Sequence, residues 1–249
     1  MKEITLALSG GAARGAYHLG VLQFIEESDI EVKAISATSI GAIIGASWLS
    51  GVSAKEQLAI FKSKEFKKIF RFNFFRNSIY RLDSTAKIVQ KLVPKKNIQD
   101  FDIPFYVTAV DLNSGQNLYF DSGDIKTLCF GSSALVPIFA PVRYNGYKLA
   151  DGGFIDHIPT QPLKAFPFEI VAVNLHPICK REVNDGIMSY IKRVLYISMY
   201  RDTFDAKINS DIYITSKKLL DYSIFSFYHF DELFELGYHD AKEKFNSKL

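Results

Sequence analysis

Apolar positions along this chain fall into two kinds of run. Short aliphatic or β-branched stretches at 4–8, 32–37, 105–111, 169–175 and 212–215 have the length of strands. Between the first two, residues 16–27 repeat their apolar side chains at three- and four-residue spacings, as a helix does. Residues 40–48 are small and helix-compatible. The alternation predicts an α/β fold with three α/β/α layers: a mostly parallel central sheet with helices on both faces. Two turns add antiparallel pairing. Asn113-Ser114-Gly115 joins 105–110 to 117–120, and Asn145-Gly146 precedes a strand at 147–150. In 249 residues, 48% apolar, without repeats or low-complexity segments, a single domain over 1–249 is the economical reading.

The chemistry gathers where these strands end. The strand 32–37 runs into Ala37-Thr38-Ser39-Ile40-Gly41-Ala42. A serine at a strand-to-helix junction, with a small residue two positions either side, suits a nucleophile elbow. The turn is tight, the hydroxyl is pushed into the open, and the next helix aims its N-terminal amides toward it. The strand 4–8 runs into Ser9-Gly10-Gly11-Ala12-Ala13-Arg14-Gly15, a glycine-rich turn before a helix. Exposed amides in such a turn bind negative charge. A dinucleotide fingerprint fails because Ala12 occupies its central glycine, and no Gly-Lys-Ser/Thr ending marks a triphosphate loop. Holding the oxyanion of an acyl transfer is then the leading use, against a turn that only packs helix on sheet. The strand 147–150 delivers Asp151, followed by Gly152 and Gly153, where another backbone can approach. An aspartate held there with a raised pKa can deprotonate a serine hydroxyl.

Taken in this order, the motifs resemble the patatin-like phospholipase family in its bacterial form. The matching residues are Gly10-Gly11-Ala12-Ala13-Arg14-Gly15, Thr38-Ser39-Ile40-Gly41-Ala42 and Asp151-Gly152-Gly153. The stretch from Ser132-Ser133-Ala134-Leu135-Val136-Pro137 to Pro141, and Ile158-Pro159, fit as well. The likeness runs from about residue 4 to about residue 175, with a weaker echo at Gly237-Tyr238. It implies a serine–aspartate dyad, with Ser39 as nucleophile, Asp151 as general base and the Gly10, Gly11 and Ala12 loop as oxyanion hole. Arg14 matches that loop's basic position, where it either orients the loop or meets an anionic substrate group. Ala37 stands where the family's elbow normally begins with glycine, which would strain the backbone if the position needed a positive φ. Asp156-His157 departs from a frequent asparagine, with a structural role in the loop.

Histidines offer a rival arrangement. His157 is nearest in sequence to Asp151, His18 lies in the first helix, and His176 follows the strand 169–175 at the sheet edge. His176 would complete a triad in the chain order Ser, Asp, His. The resemblance favours the dyad and leaves His176 a satisfied loop residue. Cys129 and Cys179 form no close pair and no metal-ligand spacing exists, so neither disulfide, metal nor cofactor is expected. No secretion signal and no run long enough to span a bilayer is visible, which suggests a cytoplasmic protein with peripheral membrane contact.

The stretch 61–81 carries seven basic side chains against Glu65 alone, interleaved with six phenylalanines and Tyr80, while the whole chain carries only +3. It suits an anionic membrane surface or a cap over the site; a helix packing its phenylalanines on the core is the plain alternative. No recognition fold supports nucleic-acid binding. The aromatic run 224–230 reads as core or lid packing. The sequence thus points to a lipid acyl hydrolase of the phospholipase A or lysophospholipase type, acting on phospholipid or lysophospholipid. A general esterase or thioesterase and an inactive lipid-binding module are the alternatives. Oligomeric state is open.

Overall fold

The structure, a computed structural model, describes residues 1–67, 69–72, 78, 80–82, 87–177, 182–198, 203–224 and 227–247. Cys179, Phe225 and Ser226 lie outside them, as do Lys68 and Arg76 of the basic stretch. Among the described residues the strands are β1 (Lys2–Leu8), β2 (Ile30–Thr38), β3 (Phe70–Phe72), β4 (Tyr80–Leu82), β5 (Phe105–Asp111), β6 (Asn117–Phe120), β7 (Val142–Tyr144), β8 (Tyr147–Asp151), β9 (Glu169–Val173) and β10 (Ile212–Ile214). The helices are α1 (Ala16–Glu26), α2 (Ile40–Leu49), α3 (Ala54–Lys62), α4 (Lys64–Lys67), α5 (Lys87–Leu92), α6 (Ile125–Ser132), α7 (Ile187–Ser198), α8 (Thr203–Ile208) and α9 (Phe230–Asn246).

Eight strands form one sheet in the order β10-β9-β1-β2-β5-β8-β7, with β6 on the other edge of β5. The first five are parallel to one another; β6, β7 and β8 add the antiparallel part. Side chains alternate across the sheet. Ile4, Leu6 and Leu8 of β1 therefore face the large core under α1, α2 and α9, while Ala7 faces the opposite side. There Ala7, Ala34 and Ala172 pack beneath Leu163 and Ala206, so α8 and the 3-10 turn Gln161–Ala165 lie close to the sheet. The α/β/α layering expected from the sequence is present, with this second layer the thinner one.

Gly20 of α1 and Gly237 of α9 explain the echo near Gly237. A Cβ at Gly20 would lie 1.9 Å from the Phe234 carbonyl oxygen, and one at Gly237 would lie 2.1 Å from that of Tyr17. The two helices cross in near-backbone contact, which anchors α1 behind the glycine-rich turn.

Several element ends differ from the sequence reading by one or two residues. β9 stops at Val173 rather than 175, because the Leu175 amide donates to Ser9 Oγ (3.0 Å) instead of a strand neighbour. β10 stops at Ile214, one residue early. The stretch 61–81 is not one helix. α3 ends at Lys62, α4 is a single turn, and β3 pairs antiparallel with β4. Phe61, Phe66 and Ile69 are buried.

The register around β5 positions the site. β2 pairs with Phe105 through Thr108, ending with Thr38 opposite Thr108. β8 pairs with Ala109 through Asp111 on the same edge, since β6 occupies the other at Val107 through Val110. It runs the opposite way and ends with Asp151 opposite Ala109. Two strands thus meet end to end along one edge of β5.

Candidate active site

Ser39 sits between β2 and α2 with φ +56° and ψ −124°, a conformation that non-glycine residues rarely adopt. The turn turns the side chain out of the ladder. Ser39 N–H donates to Ser132 Oγ on α6 (2.7 Å), and Thr38 Oγ1 donates to the Asp156 carbonyl (2.9 Å). Gly41 is required by space: a Cβ there would lie 2.5 Å from the Leu8 carbonyl oxygen and 2.7 Å from that of Ser9. Ala37 lies in β2 opposite Leu8 and is not among the positive-φ residues, so the methyl group in place of glycine brings no backbone strain.

Asp151 ends β8 and caps the 3-10 turn Gly152–Phe154. Its Oδ1 accepts from Gly153 N–H (2.8 Å) and its Oδ2 accepts from Ser39 Oγ (2.7 Å). Gly152 lets the turn lie on β5, where a Cβ would be 2.5 Å from the Thr108 carbonyl oxygen. Asp111 steadies the start of β8 by accepting from Lys148 N–H (2.9 Å). The Asp151 carboxyl is buried, and desolvation raises its pKa to about 6, although the bonds from Gly153 and Ser39 pull the other way. A carboxylate titrating there is charged at neutral pH and still a usable base.

The glycine-rich turn lies alongside. Of the three expected donors, Gly10 is committed elsewhere: its N–H donates to the His157 carbonyl (3.3 Å). The amides of Gly11 and Ala12 have no partner among the described residues, and both residues line the cavity that holds Ser39 and Asp151. Ala12 has φ +48°, and Ala13 N–H donates to the Ile224 carbonyl (2.9 Å). Arg14 does not face the cavity. Its Nη1 donates to the Leu175 carbonyl (3.0 Å), and its Nε and Nη2 donate to that of Tyr222 (2.9 and 2.7 Å). These bonds tie the turn to the segments at Leu175 and Tyr222, the geometry that a loop-orienting role would need. Gly15 lets the turn pack on α2, where a Cβ would be 2.6 Å from Ile40 Cγ1.

The cavity encloses about 120 Å³ and is apolar beyond the reactive end. Ile40, Ile43, Phe66, Ile69, Phe130 and Phe227 line it, and Lys126 is the one lysine or arginine on its wall among the described residues. Phe61 and Phe66 stack there with ring centres 4.6 Å apart. The basic–aromatic stretch thus turns its described rings inward, and Ile224, Phe227 and Phe230 of the later aromatic run join the same wall.

None of the histidines bonds to Asp151. His18 Nε2 meets the Ser9 carbonyl at 2.8 Å, and burial lowers its pKa to about 4. His157 and His176 are buried with their ring centres 4.8 Å apart, and among the described residues no side chain bonds to a ring nitrogen of either. Burial and His18 lower His157 to about 3; burial and the neighbouring His157 hold His176 well below its usual value. His176 nevertheless lines the cavity. Asp156 accepts from Tyr119 Oη, which matches a structural role for that loop. Among the described residues, no cluster of His, Cys, Asp or Glu is arranged to hold a metal.

Ser132 is the site residue the sequence did not single out for a role. Its serine-rich stretch is visible in the chain, but the bond to the Ser39 amide spans 93 residues and follows only from the fold.

An elbow serine thus faces a buried aspartate at the end of an open α/β sheet. The chain superposes on VipD of Legionella pneumophila with TM-score 0.50 and 13% identity, over 99% of this chain and 67% of that one, a likeness of fold. Residues 6–164 match the family model described as patatin-like phospholipase, and the chain belongs to that family. It is 30% identical to an uncharacterized NTE family protein of Mycobacterium bovis, over 70% of this chain and 49% of the relative. It is 24% identical to lysophospholipase NTE1 of Candida albicans, over 98% of this chain and 20% of the relative. The chain therefore spans about half the length of the first of these relatives and a fifth of the second.

Proposed function

We propose that this chain is a lipid acyl hydrolase that cleaves carboxylic esters of phospholipid or lysophospholipid through an acyl-serine intermediate. The observation that carries the reading is the 2.7 Å hydrogen bond from Ser39 Oγ to Asp151 Oδ2 at the head of an apolar cavity. Family membership and the lysophospholipase named among its relatives support the substrate class.

In this reading Asp151 takes the Ser39 proton as Oγ attacks the ester carbonyl carbon. The carbonyl oxygen gains negative charge and is met by the Gly11 and Ala12 amides. Each such donor lowers the barrier by about 3 kcal/mol. Asp151 then gives its proton to the departing alcohol oxygen as the ester bond breaks, leaving the acyl group on Ser39. Asp151 next takes a proton from water, the resulting hydroxide attacks the acyl carbon, and Ser39 regains its hydrogen as the fatty acid leaves. The acyl chain lies along the phenylalanine-lined wall, where removal from water favours binding by about 0.8 kcal/mol per buried CH₂.

Product analysis of a mixed lipid extract tests this. The wild-type chain should release free fatty acid and a deacylated lipid, and Asp151→Asn should release neither above background. Equal release by both proteins would exclude Asp151 as the base. Hydrolysis of short soluble esters with no release from lipid would move the substrate to soluble acyl groups.

A further inference from the structure

Helix α7 turns its apolar side outward. At 100° per residue, Ile187, Tyr190, Ile191, Val194 and Ile197 fall within one arc of about 120°. Their exposures are 78, 48, 42, 64 and 51%. Arg193 flanks this arc and Tyr196 lies opposite it. The guanidinium lies 5.8 Å from the Tyr196 ring centre, and Tyr196 packs 5.4 Å from the ring of His176. A helix that stabilised the fold by burying its apolar arc would face the other way. An aliphatic stripe left in water marks a surface that is covered in use.

We infer that this face of α7 docks on an anionic lipid bilayer and brings the cavity to its substrate. The inference rests on the lipid-hydrolase reading for its purpose, but its own observations are separate. The first is charge. Between residues 180 and 201 there are five cations, Lys180, Arg181, Lys192, Arg193 and Arg201, against Glu182 and Asp185. A segment with this excess of positive charge is drawn toward an anionic headgroup layer. The second is place. α7 packs against the 3-10 turn that follows Asp151, and through Tyr196 it touches His176 on the cavity wall. A bilayer on this face therefore lies against the elements that carry the reactive groups. Two copies of the chain meeting on α7 would bring like-charged segments together, which disfavours a self-interface.

The test is flotation with vesicles of phosphatidylcholine and phosphatidylserine, using the wild-type chain and Ile191→Asp/Val194→Asp. Both positions are exposed, so the double variant should melt at the wild-type temperature. The wild-type chain is expected to float, and the variant to lose binding by about tenfold or more. Reaction of Ser39 with a water-soluble fluorophosphonate should proceed at the same rate in both. A wild-type chain that stays in the water phase, or a variant that floats equally well, overturns the inference. So does a lipid-free dimer that the substitutions convert to monomer, since that makes α7 a self-interface. If neither protein reacts with the fluorophosphonate while the flotation difference persists, docking stands and the catalytic reading fails.

Discussion

Thr38 and Asp151 face consecutive residues of one strand, Thr108 and Ala109 of β5, from strands running in opposite directions. That abutment brings Ser39 and Asp151, 112 positions apart in the chain, within 2.7 Å of each other. A backbone ladder fixes both ends, so the pair is set before any substrate arrives.

The first prediction concerns pH. With the Asp151 carboxyl raised to about 6, kcat/KM on a soluble ester should rise with pH along a one-proton limb centred near 6. A limb near 4, or none, would mean that another group sets the rate. Linkage gives the companion effect on stability. The carboxyl holds its proton more tightly folded than at its ordinary value of 3.8. Its contribution is therefore present in full below that value and lost as pH rises through about 6. The loss amounts to about 3 kcal/mol. Asp151→Asn should flatten that part of the stability curve, which chemical denaturation across pH 3–8 would read.

Ala37→Gly restores the residue usual in the family elbow, yet no gain in rate is expected. Ala37 has strand geometry and a fully buried methyl. The substitution should lower stability by about 1 kcal/mol and leave kcat/KM unchanged. A clear increase in kcat would show that the methyl crowds the reacting state.

Arg14→Lys separates the two roles considered for this position. Lysine cannot reproduce the fork that holds the Leu175 and Tyr222 carbonyls. A loss of about 3 kcal/mol in stability is expected, with slower Ser39 labelling by a neutral organophosphorus probe. A variant that melts like the wild type but fails only on anionic lipids would place Arg14 against substrate.

His176→Ala should keep turnover within about tenfold of wild type, whereas removing a general acid–base costs about 10²–10⁴-fold. His176 has no bond to Asp151, and no side chain among the described residues pairs with its ring nitrogens. Loss of turnover in a folded variant would replace the dyad with a triad.

Much of this was legible in the chain because the informative features are local. Ser39, Gly41 and Gly152 betray themselves by small residues at fixed offsets, since each offset answers a nearby carbonyl such as Leu8 or Thr108. The parallel strands show as short aliphatic runs for the same reason. What the sequence hid is long-range. The engagement of the Gly10 amide by His157, the Ser132 support of Ser39 and the Arg14 clamp each depend on segments that meet only in the fold. Composition also drew attention to 61–81, whose Phe61 and Phe66 turn inward, and away from α7, whose aliphatic arc turns outward.

The most direct measurement is peptide mapping after treatment with a fluorophosphonate. The account predicts one adduct in the wild-type chain, on the peptide containing Ser39, and none in Ser39→Ala, with labelling much slowed in Asp151→Asn. An unlabelled wild-type chain, or an adduct that persists in Ser39→Ala, would contradict it.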